Sequence, residues 1–247
     1  MAILIESKDL SNNSNKQLFY PLQLRLQTGE VFQGVCPFEI KKEHYGELVF
    51  NTGMVGYTET LTDPSYKGQI ITFTYPIMGN YGVAPRDTWE SDKIQAAGVI
   101  VSSVFQNPTR EFSENSLVNW CKESGVPLIT GIDTRALTKV IRNTGAISSV
   151  IEPISTKINN NFIDINDSDL VAEVCVKEPK IISSGKYKII VVDCGIKQNI
   201  LRNLCKFDFE IKLVPYNYDY TNENFDGLFL SNGPGDPAKC TETIAYL

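Results

Sequence analysis

The chain predicts an α/β protein in two unlike halves, on three observations. Up to about Ile151 it is strand-rich with a few helical stripes, and from Tyr187 onward buried strands alternate with helices. Between them, residues 152–186 mix Pro, Ser, Asn and charge without sustained periodicity. The last part reads strand, helix, strand, strand, which is the start of a doubly wound sheet. The expected division is therefore a first domain over 1–152, a linker over 153–185 with one short packed segment around Leu170 to Val176, and a second domain over 186–247.

In the first half, PLQLRL and EVFQGV are β-type runs around QTGE, the pattern of a hairpin. GQIITFTYP alternates, with Ile71, Phe73 and Tyr75 on one face and Thr72 and Thr74 on the other, which predicts a half-buried strand. AAGVIVSSVF is a continuous apolar run, suited to a strand buried on both faces. SLVNWCKESGV places Leu117, Val118 and Cys121 on one side of a helix that Gly125 ends. DTRALTKVIRNTGA does the same with Leu137, Val140 and Ile141, capped by Asp133 or Thr134 and stopped by Gly145.

In the second half, KIIVVDCG is a buried strand closed by an Asp and a Gly. IKQNILRNLCKF follows as a helix with Ile196, Ile200, Leu201 and Leu204 on one face. EIKLVPY and FDGLFLSNGPGDP supply two more strands, and AKCTETIAYL a helical stub. A parallel sheet needs cover on both faces, so the second domain reads as incomplete.

Of the 247 residues, 42% are hydrophobic and 21% charged, enough for a real core. A formal net charge of −6 and the lack of basic runs argue against nucleic acid as a partner. The N-terminus MAILIESKDLSNNSNK lacks a basic leader and a long apolar region, and no run approaches the ~18 residues that cross a bilayer, so no membrane role is expected. Six cysteines (Cys36, Cys121, Cys175, Cys194, Cys205 and Cys240) lie far apart with no C-x-x-C, which signals neither a disulfide framework nor a zinc site. The expected setting is soluble and intracellular, where N-x-S matches at Asn12 and Asn166 carry no meaning.

Phosphate-loop, dinucleotide, nucleophile-elbow and H-E-x-x-H signatures are all missing. The one histidine, His44, sits between KKE and YGE and reads as a solvated turn residue, so the second half has no general base of the usual kind. Cys240 reads as structural, in the first turn of the last helix. The loop SNGPGDP can act through its backbone: Gly233 and Gly235 remove the Cβ that blocks close approach, Pro234 and Pro237 stiffen the turn, and a helix N-terminus follows. Such a loop suits an oxyanion hole, although the same letters also make a plain tight turn. FNTGMVGYTETLTDPSYKGQ, residues 50–69, reads equally as a binding loop or a connector.

Taken together, FNTGMVGYTETLTDPSYKGQIITFTYPIMGNYGV, GIDTRALTKVIRNTGA, VVDCGIKQNILRNL and LFLSNGPGDP closely resemble the small, glutamine-hydrolysing subunits of carbamoyl-phosphate synthase, from about Pro21 onward. The resemblance implies a mixed β-rich/α N-terminal domain peculiar to small subunits, followed by the start of a flavodoxin-like class I glutamine amidotransferase domain. It also implies that Gly233 and Gly235 bind glutamine and that the Gly233 amide is an oxyanion donor. The family's early loop carries a serine, FNTSM, where this chain has Gly53, so a glutamine contact at Gly53 would come from backbone.

The family's cysteine nucleophile, in a G-x-C-x-G-x-Q elbow, and its His and Glu are expected beyond Leu247, so no catalytic residue is expected in this chain. The chain then reads as the amino-terminal part of such a subunit, unable to hydrolyse glutamine alone. The intact subunit would pass ammonia to a large-subunit partner, which joins it to bicarbonate with ATP to give carbamoyl phosphate for arginine and pyrimidine synthesis. No metal or cofactor is expected here, with ATP and Mg in the large subunit, and the compartment is a bacterial-type cytoplasm or a plastid stroma. Two alternatives are another class I amidotransferase, against which the FNTGMVGY block argues, and a non-catalytic docking or regulatory protein.

Overall fold

A computed structural model describes residues 3–5, 17–106, 108, 115–154 and 161–247. Asn12 and part of the expected linker lie outside the described residues. The fold is α/β, in two compact units. Unit 1 spans 1–58, 68–85 and 96–164, and unit 2 spans 59–67, 86–95 and 165–247.

Unit 1 is built on strands β1 (Ile3–Ile5), β2 (Gln17–Leu26), β3 (Val31–Cys36), β4 (His44–Asn51), β5 (Gln69–Phe73), β6 (Ile77–Met78), β7 (Gly98–Ile100), β8 (Ser103–Val104), β9 (Leu128–Ile129) and β10 (Ile147–Pro153). The main sheet runs β1-β2-β10-β4-β5-β7-β9, with β3 also paired to β2; β6 and β8 form a separate pair. The β2–β3 hairpin turns at QTGE as expected, with Gly29 at φ +102° and the Leu26 amide donating to the Glu30 carbonyl at 3.0 Å. The sheet curls until β3 meets the end of β9, where Val35 and Thr130 exchange backbone hydrogen bonds of 3.0 and 2.9 Å. Gly34 permits this closure, because a Cβ there would stand 2.6 Å from Ile129 Cγ2 and 2.7 Å from the Thr130 carbonyl. Closure of this kind leaves fewer unpaired strand edges.

Strands β4, β5, β7 and β9 are parallel, whereas β2, β3, β10 and β4 pair antiparallel. β5 departs from the half-buried expectation: Ile70, Ile71, Thr72 and Phe73 are all buried. Its threonine face is covered because β5 is an interior strand of the parallel part. β7 is buried throughout, but the expected continuous strand is shorter than its apolar run: Ser103 and Val104 form β8 in the separate pair, and Phe105 is exposed. Helix α1 (Tyr57–Thr62) follows β4. Helix α2 (Leu117–Glu123) is capped by Ser116, and α3 (Thr134–Thr144) by Asp133, whose carboxylate accepts the Ala136 amide at 2.9 Å. Leu137 and Ile141 form the buried stripe of α3, and Gly145 ends it at φ +83°.

His44 also departs from expectation. It begins β4 opposite Ile151 and is half-buried, and burial, then the charge of Lys42, pushes its pKa below the usual histidine value.

Unit 2 contains α4 (Leu170–Val174), β11 (Lys180–Ser183), β12 (Tyr187–Asp193), α5 (Gln198–Leu204), β13 (Phe209–Pro215), β14 (Gly227–Leu230) and α6 (Thr241–Ala245). The sheet order is β11-β13-β12-β14, with β12 parallel to both neighbours and β11 antiparallel to β13. The packed segment expected in the linker is α4, with Leu170 and Val171 buried, whereas the sheet strand β11 lies in residues read only as linker.

Alternate residues of β12 serve opposite faces. Val191 packs with Ile196, Leu201, Ile211 and Leu213, the α5 side. Ile190 and Val192 pack with Val214 and Tyr220. The second face is covered by aromatic side chains, since Tyr220 meets Phe225 and Tyr246 edge-on, each at 6.1 Å between ring centres. Among the described residues no helix is long and apolar enough to cross a membrane.

Segments 59–67 and 86–95 belong to unit 2 by specific bonds. The Glu90 carboxylate accepts the Asn199 amide at 2.9 Å and its carbonyl accepts the Gln198 amide at 3.0 Å. Glu90 thus caps α5, whose own N-cap residue Lys197 makes no side-chain cap.

Candidate functional site

Doubly wound sheets hold ligands outside the carboxyl ends of their strands, where the order of strands reverses. In unit 2 that point lies between β12 and β14, because α5 carries the chain to β13 on one side and β14 then pairs on the other. The loops leaving these two strands, residues 194–197 and 231–236, meet there.

Asp193, the last residue of β12, is 3% exposed and organises the first loop. Its Oδ1 accepts the amides of Gly195 and Ile196, both at 2.8 Å, and its Oδ2 accepts the amide of Val176 at 2.8 Å. Ser231 joins the second loop to the first: its Oγ accepts the Cys194 amide at 2.9 Å and donates to the Asn232 carbonyl at 2.8 Å.

The two glycine turns interlock. A Cβ on Gly233 would stand 1.9 Å from the carbonyl oxygen of Cys194. Gly195, at φ +119°, would place a Cβ 2.9 Å from Pro234 Cδ and 3.2 Å from Gly233 Cα. Gly235 sits at φ +72°, in the left-handed region that glycine favours. Sequence reasoning assigned the missing Cβ of Gly233 to substrate clearance, but the space is taken by the Cys194 backbone. Among the described residues, neither the Gly233 nor the Gly235 amide has a hydrogen-bond acceptor.

After the loop, the expected helix start is a 3-10 turn, Pro237–Lys239, whose cap Asp236 accepts the Ala238 amide at 2.9 Å; the five-residue α6 follows. The loop and α6 line a largely apolar cavity of about 380 Å³, with Cys194, Asn232, Gly233, Gly235, Cys240 and Thr243 among its walls.

Neither thiol in this wall is activated. The Cys194 thiol is pushed up to about 12, by burial first and then by Cys240 and Asp193. Cys240 is buried, and its pKa is raised by burial and then by the charge of Asp169. Since the thiolate is the nucleophile, both stay in the unreactive form near neutral pH, in line with a structural reading of Cys240. His44 lies in unit 1. Among the described residues no cluster of three or more His, Cys, Asp or Glu side chains suits a metal ion.

Part of the early signature stretch also reaches this loop. Asp63 caps a 3-10 turn over Pro64–Tyr66, accepting the Ser65 amide at 3.0 Å, and pairs with Lys197 Nζ at 2.7 Å. Asn232 Nδ2 donates to Ser65 Oγ at 2.6 Å. Sequence reasoning missed Asp193, Ser231, Asn232 and Ser65 as organisers; the signals were a polar end to the apolar strand β12, polar letters directly after β14, and the polar turn after α1. Gly53 belongs to unit 1, in the turn after β4, and donates its amide to Asn51 Oδ1 at 2.7 Å. A Cβ there would meet Asn51 Oδ1 at 3.0 Å and the Val55 carbonyl at 3.1 Å, so this turn holds a larger residue only tightly.

Comparison with known proteins finds two families along the chain. The family described as carbamoyl-phosphate synthase small chain, CPSase domain, matches residues 24–151, and glutamine amidotransferase class-I matches residues 190–247. The multifunctional protein CAD of Squalus acanthias is 45% identical over 232 residues, covering 90% of this chain and 10% of that protein. The carbamoyl phosphate synthase arginine-specific small chains of Neurospora crassa and Chaetomium globosum are 40% and 41% identical, covering 90% and 91% of this chain and 52% of each relative. The chain thus spans about half the length of these small chains. With a small-chain domain over residues 24–151, an amidotransferase start over 190–247 and a glycine loop at the switch point of its sheet, the chain belongs to the carbamoyl-phosphate synthase small-chain family.

Proposed function

We propose that unit 2 contributes the glutamine-binding loop of a glutamine-dependent carbamoyl-phosphate synthase. The observation that carries this reading is the pair of unpartnered amides, Gly233 and Gly235, held over a cavity at the strand-order reversal of the sheet. Fixed N–H donors of this kind stabilise the oxyanion that develops when an amide carbonyl is attacked. In this role the Gly233 amide is the oxyanion donor and Gly235 shares in binding glutamine.

The chain supplies the donors and positions the substrate, and the thiols of the cavity wall, Cys194 and Cys240, do not supply the attacking thiolate. The ammonia released passes to a large-subunit partner that holds ATP and Mg and makes carbamoyl phosphate for arginine and pyrimidine synthesis. The printed name of the small-chain relatives, carbamoyl phosphate synthase arginine-specific small chain, supports the carbamoyl phosphate and arginine part of this reading. Six free cysteines fit a reducing compartment, a bacterial-type cytoplasm or a plastid stroma.

Calorimetric titration of the chain tests the binding step. Saturable heat with L-glutamine, and none with D-glutamine, is the expected result. Equal heats for the two enantiomers, or none for either, would refute it.

A further inference from the structure

The parallel strands β4, β5, β7 and β9 of unit 1 also end on one edge, the place where α/β sheets hold ligands. A cleft of about 500 Å³ lies there, a size that accommodates a small molecule. Its walls include Thr74, directly after β5, Ser102, two residues after β7, and Thr134, Arg135, Lys139 and Arg142 of α3. The site proposed above makes no use of this cleft, which lies wholly within unit 1.

The three cations recur at i, i+4 and i+7, so one flank of α3 presents all of them. None forms an ion pair with a described residue, in a chain whose formal net charge is −6. Asp133 also lines the cleft, but its Oδ1 accepts the Ala136 amide as the cap of α3. Thr134 is largely buried, but its hydroxyl, which makes no hydrogen bond to a described residue, is not among the buried oxygens and is open to the cleft it lines. Two guanidinium groups, an ammonium, a free hydroxyl and the first turn of an eleven-residue helix form a donor-rich, cationic set. That set matches the geometry and charge of phosphate oxygens.

We propose that this cleft binds a small phosphate-bearing molecule, with Arg135 and Arg142 gripping the phosphate oxygens and Thr134 donating to one of them. Lys139 adds charge, and Thr74 and Ser102 face the remainder of the ligand.

Titration of the 247-residue chain with inorganic pyrophosphate, followed by calorimetry at low salt, tests this. Saturable binding is expected, weakened about tenfold or more by R135Q/R142Q and severalfold by T134V, and falling as salt rises. Circular dichroism of each variant confirms that the fold is kept; R135Q/R142Q changes only helix-surface cations and carries the test if T134V unfolds. Succinate, a dicarboxylate of similar span, is expected to bind at least about tenfold more weakly. No saturable binding of pyrophosphate, binding unchanged in R135Q/R142Q, or equal affinity for succinate would each overturn the proposal. So would a cleft that answers only to an acidic peptide and not to pyrophosphate.

Discussion

The carbonyl oxygen of Cys194 lies 1.9 Å from the position that a Cβ on Gly233 would take. The two glycine turns of unit 2 are therefore parts of one packed object, and the exposed amides of the second turn are aimed by the backbone of the first. Substitutions at the two glycines of the GPG loop should separate these effects. Gly233→Ala forces backbone apart and is expected to cost about 3 kcal/mol or more. Gly235→Ala only places a side chain at φ +72°, a cost of about 1–2 kcal/mol. Urea denaturation of the two variants checks the order, and a larger loss for Gly235→Ala would contradict the interlock.

Asp193 holds the first turn through three amides at 2.8 Å. Asp193→Asn keeps the shape but turns one acceptor into a donor that faces an N–H. A loss of about 1.5–3 kcal/mol is expected, with faster hydrogen exchange at Gly195 and Ile196. A variant as stable as the parent would show that the carboxylate is not the organiser.

In unit 1 the buried Glu152 accepts Arg25 Nε at 2.6 Å and Gln23 Nε2 at 2.8 Å across the β2–β10 pair. Its hydrogen bond raises the Arg25 pKa against the opposing effect of burial. Glu152→Ala removes the carboxylate that pairs with a buried guanidinium and is expected to cost about 3–5 kcal/mol, whereas Glu152→Leu with Arg25→Met should recover much of that loss. Thermal denaturation of the single and double variants measures the difference. A double variant no better than Glu152→Ala would count against it.

These cases mark what was legible in the chain. Helix α3, the β2–β3 hairpin and the β12-α5-β13-β14 order follow from local periodicity, caps and glycines, all of which act over a few residues. The glycine loop was singled out for the same reason. The burial of β5 on both faces was not legible, because Thr72 is covered by neighbours distant in sequence. Nor were the Arg25–Glu152 pair, separated by 127 positions, or the capping of α5 by Glu90. The packing role of Gly233 depends on a partner loop nearly forty residues earlier, and no spacing rule within SNGPGDP encodes it.

His44 gives a pH test with a single reporter, as the only histidine in the chain. Burial and Lys42 lower its pKa in the fold, so the unfolded chain binds the proton more readily. Stability should be unaffected by His44 well above its unfolded pKa of about 6.5 and should fall as pH drops below that value. Proton NMR of the imidazole reads the titration directly, and denaturation at about pH 5.5 and about pH 7.5 reads the linkage. His44→Gln should flatten that slope; a His44 pKa above the usual value would reverse the sign and refute the expectation.

The most direct measurement is an L-glutamine titration of the ¹⁵N-labelled chain followed amide by amide. The Gly233 and Gly235 resonances should shift together and saturate, with D-glutamine leaving both in place. Shifts confined to other residues, with both glycine amides unmoved at saturation, would contradict the assignment of this loop to glutamine.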